Sequence, residues 1–161
     1  GRRGPENVWG SAATGACLAL LIGAGVEPGP LLLVGFSASF AAKLADTFGS
    51  EIGKRWGRRP VLITTLRSVP PGTEGAISLA GTLASAAGSV LMTLVIWQLQ
   101  LLPSISVSLV VMLIGLLATL AESLLGALAQ DRFRWLSNEL VNALQTLLAA
   151  VMAMLWLGGR I

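Results

Sequence analysis

Residues 75–121 carry no Asp, Glu, Lys or Arg. A water-soluble domain of this size cannot hide so long an uncharged stretch, whereas lipid demands one, because a charge at membrane depth is costly. The chain as a whole is 54% hydrophobic and 12% charged, against about 25% charged in a soluble domain. A membrane-spanning helix needs about 20 mostly apolar residues. Five stretches qualify, at 8–26, 31–56, 76–98, 104–130 and 137–157. Breakers separate them: Glu27-Pro28-Gly29-Pro30 after the first, a basic loop over 57–75 after the second, Pro103 after the third, and a short charged loop over 130–135 before the fifth. The expected fold is all-α, a polytopic membrane bundle of about five transmembrane helices, read as one domain over 1–161. Gly1 is not an initiator Met and Arg2-Arg3 resemble the middle of a loop, so further N-terminal helices are expected to precede this chain.

Composition removes several function classes. There is no His, which excludes His-based catalysis and His metal ligands. Cys17 is the single cysteine, so no internal disulfide can form; within its apolar run it reads as a small packing residue rather than a reactive thiol. The 19 glycines suit helices that pack closely in lipid. The net charge of +3 does not point to nucleic acid, because the basic residues stand at helix ends, where membrane topology accounts for them. With a cytoplasmic N-terminus, Arg2, Arg3, Lys54, Arg55, Arg58, Arg59, Arg67, Arg132 and Arg134 all lie inside, and Arg160 lies outside. The positive-inside rule favours that arrangement. It places the basic loop on the cytoplasmic side, where nucleotides are.

The second helix breaks the apolar pattern. At 100° per residue, Ser39, Lys43, Asp46, Ser50 and Lys54 share one face, Glu51 flanks it, and Ala41, Ala45, Phe48 and Ile52 take the opposite side. Charges at membrane depth face a cavity or a partner. Lys43 and Asp46 alone could be a structural ion pair, since their spacing permits one; the further polar groups on the same face favour a site. The loop adds Arg58, Arg59, Thr64, Thr65 and Arg67, then Pro70-Pro71-Gly72-Thr73-Glu74-Gly75. A Gly-Thr-x-Gly turn before a helix can present backbone N–H groups to an anion, or Thr73 can simply cap the third helix. Glu122 lies near the end of the fourth helix, and Glu139 suits the positive end of the fifth. Carboxylates hold a divalent cation, Lys and Arg hold phosphates, and a glycine-rich turn cradles them. Together these are the parts for phosphoryl or nucleotidyl transfer.

The stretch SFAAKLADTFGSEIGKRWGRRPVLITTLRSVPPGTEGAISLAGT resembles the signature of an integral-membrane family. That family includes the phytyl-phosphate kinases of tocopherol synthesis and many bacterial and archaeal members of no assigned function. AESLLGALAQ and NELVNALQT resemble its second signature, so the likeness extends over nearly the whole chain. Glu122 and Glu139 stand where the family usually has Asp, changes that keep the charge. NVWGSAATG is a loose match to a region that often carries an Ala-Asn pair. The phytol and dolichol kinases and the CDP-diacylglycerol synthases are more distant likenesses.

What the resemblance implies is a CTP-dependent kinase that converts an isoprenoid monophosphate lipid, phytyl phosphate above all, to its diphosphate at the membrane surface. It implies Mg²⁺ on Asp46, with Glu51 or Glu122 as a second acidic group, and Lys43, Lys54 and Arg59 against phosphate charge. Ser50, Thr64, Thr65, Gly72, Thr73 and Gly75 would help seat the nucleotide. A cytidylyltransferase acting on a lipid phosphate, or a polytopic transporter, remain the alternatives, and oligomeric state is left open.

Overall fold

In the computed structural model, residues 5–130, 133 and 135–160 are described. Arg2, Arg3, Arg132 and Arg134, which contribute to the expected orientation, lie outside the described residues. Five helices follow one another up and down: α1 (Pro5–Gly23), α2 (Gly29–Trp56), α3 (Leu79–Gln98), α4 (Ile105–Leu125) and α5 (Asn138–Gly158). The helices α2 to α5 are long and apolar enough to cross a membrane, and α1 has a shorter apolar part, Val8–Gly23. The chain is therefore an all-α polytopic membrane bundle, as its hydropathy requires.

Local chemistry sets the helix starts. Prolines at the beginning of α2 suit a first turn whose N–H groups have no helical partner. Ser78, Ser104 and Ser137 each turn a hydroxyl onto the first turn of α3, α4 and α5, accepting from Gly81 N at 3.1 Å, Val107 N at 3.3 Å and Leu140 N at 3.3 Å.

The bundle is arranged around α2, which packs against all four other helices. The reason is its small side chains: Ala38, Ala41, Ala42 and Ala45 are fully buried. Their neighbours are small too. A Cβ on Gly88 of α3 would meet the Leu44 carbonyl oxygen and the Ala45 Cα, and one on Gly115 of α4 would meet Ala41. Lipid offers no hydrophobic drive for helices to associate, so close backbone approach and buried hydrogen bonds must hold them together. Ser89 donates to the Met112 carbonyl at 2.7 Å, Gln145 to the Ala42 carbonyl at 3.1 Å and to Thr119 Oγ1 at 3.0 Å, and Thr14 pairs with Thr146 at 3.0 Å. The large apolar residues Leu83, Leu94, Leu109, Leu113 and Leu117 are exposed. This is inverted from a soluble protein and is what a lipid solvent demands.

The structure departs from the sequence expectations in the polar loop. It contains a two-stranded antiparallel ladder, β1 (Val61–Leu62) on β2 (Ala76–Ile77), with Val61 opposite Ile77. The third helix accordingly begins at Leu79 rather than at 76, and Ser78, not Thr73, caps it. The fourth helix ends in a π-helical turn, Gly126–Gln130. Chain direction places Trp9, Trp56 and Trp135 at the end of the bundle near this loop, and Trp97 and Trp156 at the other. Two tryptophan levels are the usual mark of the two membrane interfaces.

Candidate functional site

A cavity of about 570 Å³ opens at the end of the bundle where α2 and α4 finish and α1, α3 and α5 begin. Five helices and the loop contribute to its wall, so no single segment of sequence contains it. From α2 come Lys43, Asp46, Ser50, Glu51 and Lys54; from the loop Gly72, Thr73, Glu74 and Gly75; from α4 Glu122 and Ser123; and from α5 Asn138 and Asn142. Val8, Ser11 and Ala12 of α1 complete the wall.

Lys43 anchors the wall. Its Nζ donates to Asp46 Oδ2 at 2.7 Å and to Asn142 Oδ1 at 2.8 Å, across 99 positions of sequence. The ion pair foreseen as one reading of these two residues is thus present, and it lines the cavity: Lys43 and Asp46 remain 22% and 15% exposed, open to a ligand on one side. About one turn beyond Asn142 on α5, Gln145, 2% exposed, joins α5 to α2 and α4 by donating to the Ala42 carbonyl and Thr119 Oγ1.

The loop is shaped by two glycines. Gly72 and Gly75 have φ of +87° and +73°, backbone that L side chains rarely adopt. Around Gly72 the space for a Cβ is empty, whereas a Cβ on Gly75 would collide with Ala127 of the π-helical turn. Gly75 therefore lets the loop dock on the end of α4. Its carbonyl also accepts from Ile63 N at 3.1 Å, which ties the docked turn to the residue that follows β1. The Thr73 hydroxyl donates to the Pro70 carbonyl at 2.8 Å, closing its own turn.

Most of the expected site residues come together here: Lys43, Asp46, Ser50, Glu51, Lys54, Gly72, Thr73, Gly75 and Glu122 all line the cavity. Arg59, Thr64 and Thr65 do not; they are exposed on the far part of the loop, where Thr65 Oγ1 accepts from Arg67 N at 3.4 Å. Glu74 and Asn142 line it without having been singled out. The second motif, NELVNALQT, already contained Asn142, but only the approach of α5 to α2 reveals its bond to Lys43. In formal charge the wall sets Asp46, Glu51, Glu74 and Glu122 against Lys43 and Lys54. Among the described residues no three acidic side chains lie close enough to hold a metal ion by themselves. A Mg²⁺ ion here would need one or two carboxylates plus oxygens of a bound phosphate, the arrangement Mg²⁺ commonly adopts with nucleotides. The donor set fits that use.

Fold and site together define an α-helical integral membrane protein with a polar, two-sign chamber at one end of its bundle. The chain belongs to the integral membrane protein family DUF92, which matches residues 1–150. It is 47% identical to an uncharacterized membrane protein of Synechocystis, over 95% of this chain and 59% of that one. It is 42% identical to the chloroplastic protein VTE6 of Arabidopsis thaliana, over 96% of this chain and 48% of that protein. An uncharacterized membrane protein of Methanocaldococcus jannaschii is 39% identical, over 76% and 50% of the two chains. The chain thus spans about half to three-fifths of the length of these curated relatives. The family read from the two motifs is the one these comparisons show. No solved structure matches the chain.

Proposed function

We propose that the protein is an isoprenoid-phosphate kinase that phosphorylates phytyl phosphate, or a similar prenyl monophosphate, to the diphosphate with CTP and Mg²⁺. The observation that carries this reading is the cavity. It gathers two lysines, four carboxylates and a glycine-bearing turn at the end of a membrane bundle, where a lipid phosphate and a soluble nucleotide can meet. The family likeness drawn from the motifs supports the same chemistry, and the 42% identity to VTE6 extends over 96% of this chain.

In the proposed reaction an oxygen of the lipid phosphate attacks the γ-phosphorus of CTP. The bond from that phosphorus to the β-bridging oxygen breaks, and CDP leaves with the electron pair. The nucleophile is already an anion, so no general base is required. The protein supplies alignment and charge neutralisation. Lys43 and Lys54 sit against phosphate oxygens, and Gly72 leaves its surroundings open for close approach of the backbone to the nucleotide. Asp46, with Glu122 or Glu51, would hold Mg²⁺, which when bound offsets the charge of the nucleotide phosphates.

The test is one incubation of the purified full-length protein with phytyl phosphate, Mg²⁺ and each nucleoside triphosphate in turn, read by mass spectrometry. Phytyl diphosphate together with CDP is the expected result. A CDP-linked lipid together with pyrophosphate would instead make the protein a cytidylyltransferase. A protein that consumes no nucleotide yet carries solute into liposomes would be a transporter.

A further inference from the structure

We infer that the outer rim of the polar loop is a binding surface for anionic phospholipid headgroups, separate from the cavity. Arg55, Arg58, Arg59 and Arg67 are exposed and none of them lines the cavity. Arg58, Arg59 and Arg67 form no ion pair with any described carboxylate. The cluster is joined by two outward apolar side chains, Trp56 at 66% and Leu66 at 70% exposure. Arg55 lies 6.0 Å from the Trp56 ring, and Leu66 is held outward by a left-handed backbone, φ +55°, in a turn closed by Leu62 N donating to the Arg67 carbonyl at 2.9 Å.

Helix length sets the depth of this rim. α2 has 28 residues, hence a length of about 42 Å. A bilayer is about 30 Å thick in its hydrocarbon and 40–45 Å with headgroups. The C-terminal end of α2 therefore lies in the headgroup layer, beside lipid phosphates. A short cluster of Lys and Arg next to a membrane helix, at that depth, has the charge that attracts anionic lipid. Trp and Leu beside it have the amphipathic character that settles at the same level. The exposed arginines then have a partner, and the loop that roofs the cavity is held against the bilayer surface.

This inference does not rest on the proposed kinase activity, and its test does not read activity. The full-length protein in mild detergent is equilibrated with equal amounts of phosphatidylglycerol and phosphatidylcholine, and retained lipid is counted by native mass spectrometry. Phosphatidylglycerol is expected to be enriched about tenfold, and the enrichment to shrink as salt is raised. The triple variant Arg55→Gln/Arg58→Gln/Arg67→Gln should bring it to about parity. The corresponding three changes to Lys should preserve it, because charge rather than fork geometry carries the binding. Each single Gln variant should lower it in part, which keeps the inference testable if the triple variant does not fold. Equal retention of both lipids by the parent protein would overturn it. So would unchanged enrichment in the Gln variants, or displacement of the lipid by millimolar inorganic phosphate, which would mark a free-anion site.

Discussion

Lys43 shows how one side chain can be both structural and poised. Its ammonium group has two fixed acceptors, Asp46 Oδ2 and Asn142 Oδ1, and three protons to give, so one remains for a ligand in the cavity. Asp46→Asn should leave the fold almost unchanged, because an amide oxygen still accepts from Lys43 and Asn142 still holds it. Turnover should fall by about 100-fold or more, because the amide carries no charge for a cation. Melting temperature and product formation measured on the same preparation separate the two roles: a lowered melting temperature with turnover retained would assign Asp46 to structure alone. The two glycines of the loop make a paired prediction. Gly72→Ala meets open space but must hold a left-handed backbone, at a cost of about 1 kcal/mol. Gly75→Ala adds a collision with Ala127, so its loss of thermal stability should be the larger. Gly72→Ala should also raise the nucleotide KM while leaving that of the lipid phosphate unchanged. A Gly72→Ala protein with an unaltered nucleotide KM would remove the turn from the site.

Among the elements, α2 carries both the packing and the chemistry. Its buried alanine face meets glycines on α3 and α4, and its polar face meets the cavity. Gly88→Val would push a side chain into the Leu44 carbonyl and Ala45, and overpacking of this kind costs about 1–3 kcal/mol. Because α2 would move with α3, activity should fall with stability. Leu83→Ala, at an exposed position of the same helix, should change neither by much. Unfolding in mixed detergent with SDS would rank the two, and the reverse order would mean that α2 and α3 do not pack as described. The π-helical turn after α4 has a similar element-level role. It brings Ala127 under Gly75, so the loop is docked on the bundle instead of hanging from its strand ends.

For the whole molecule, the up-and-down path places the polar loop and the turn between α3 and α4 at opposite ends of the bundle. The positive-inside rule predicts a cytoplasmic loop. With Cys17→Ser as background, Arg59→Cys should be labelled only from the cytoplasmic side and Gln100→Cys only from the other. Labelling of both from the same side would contradict the crossing of α3. Labelling of position 59 from outside would separate the cavity from cytoplasmic nucleotide and with it the proposed kinase reaction.

Hydropathy by itself determined the solvent and the class of fold, because an uncharged run from 75 to 121 has only one stable environment. Helical periodicity likewise placed Lys43, Asp46, Ser50 and Lys54 on one face, since those spacings are local geometry. What local geometry cannot carry is distance in space. The bond from Lys43 to Asn142 spans 99 positions and exists because α5 packs against α2. Glu122 reaches the cavity because α4 packs against α2, and Glu74 reaches it because Gly75 lets the loop sit on the end of α4. The β1–β2 ladder and the π-helical turn were likewise decided by tertiary docking, as strands of two residues are too short to leave a periodic trace. The same docking left Arg59, Thr64 and Thr65 outside the cavity: a residue's nearness to a motif in the chain does not fix which side of a turn it faces.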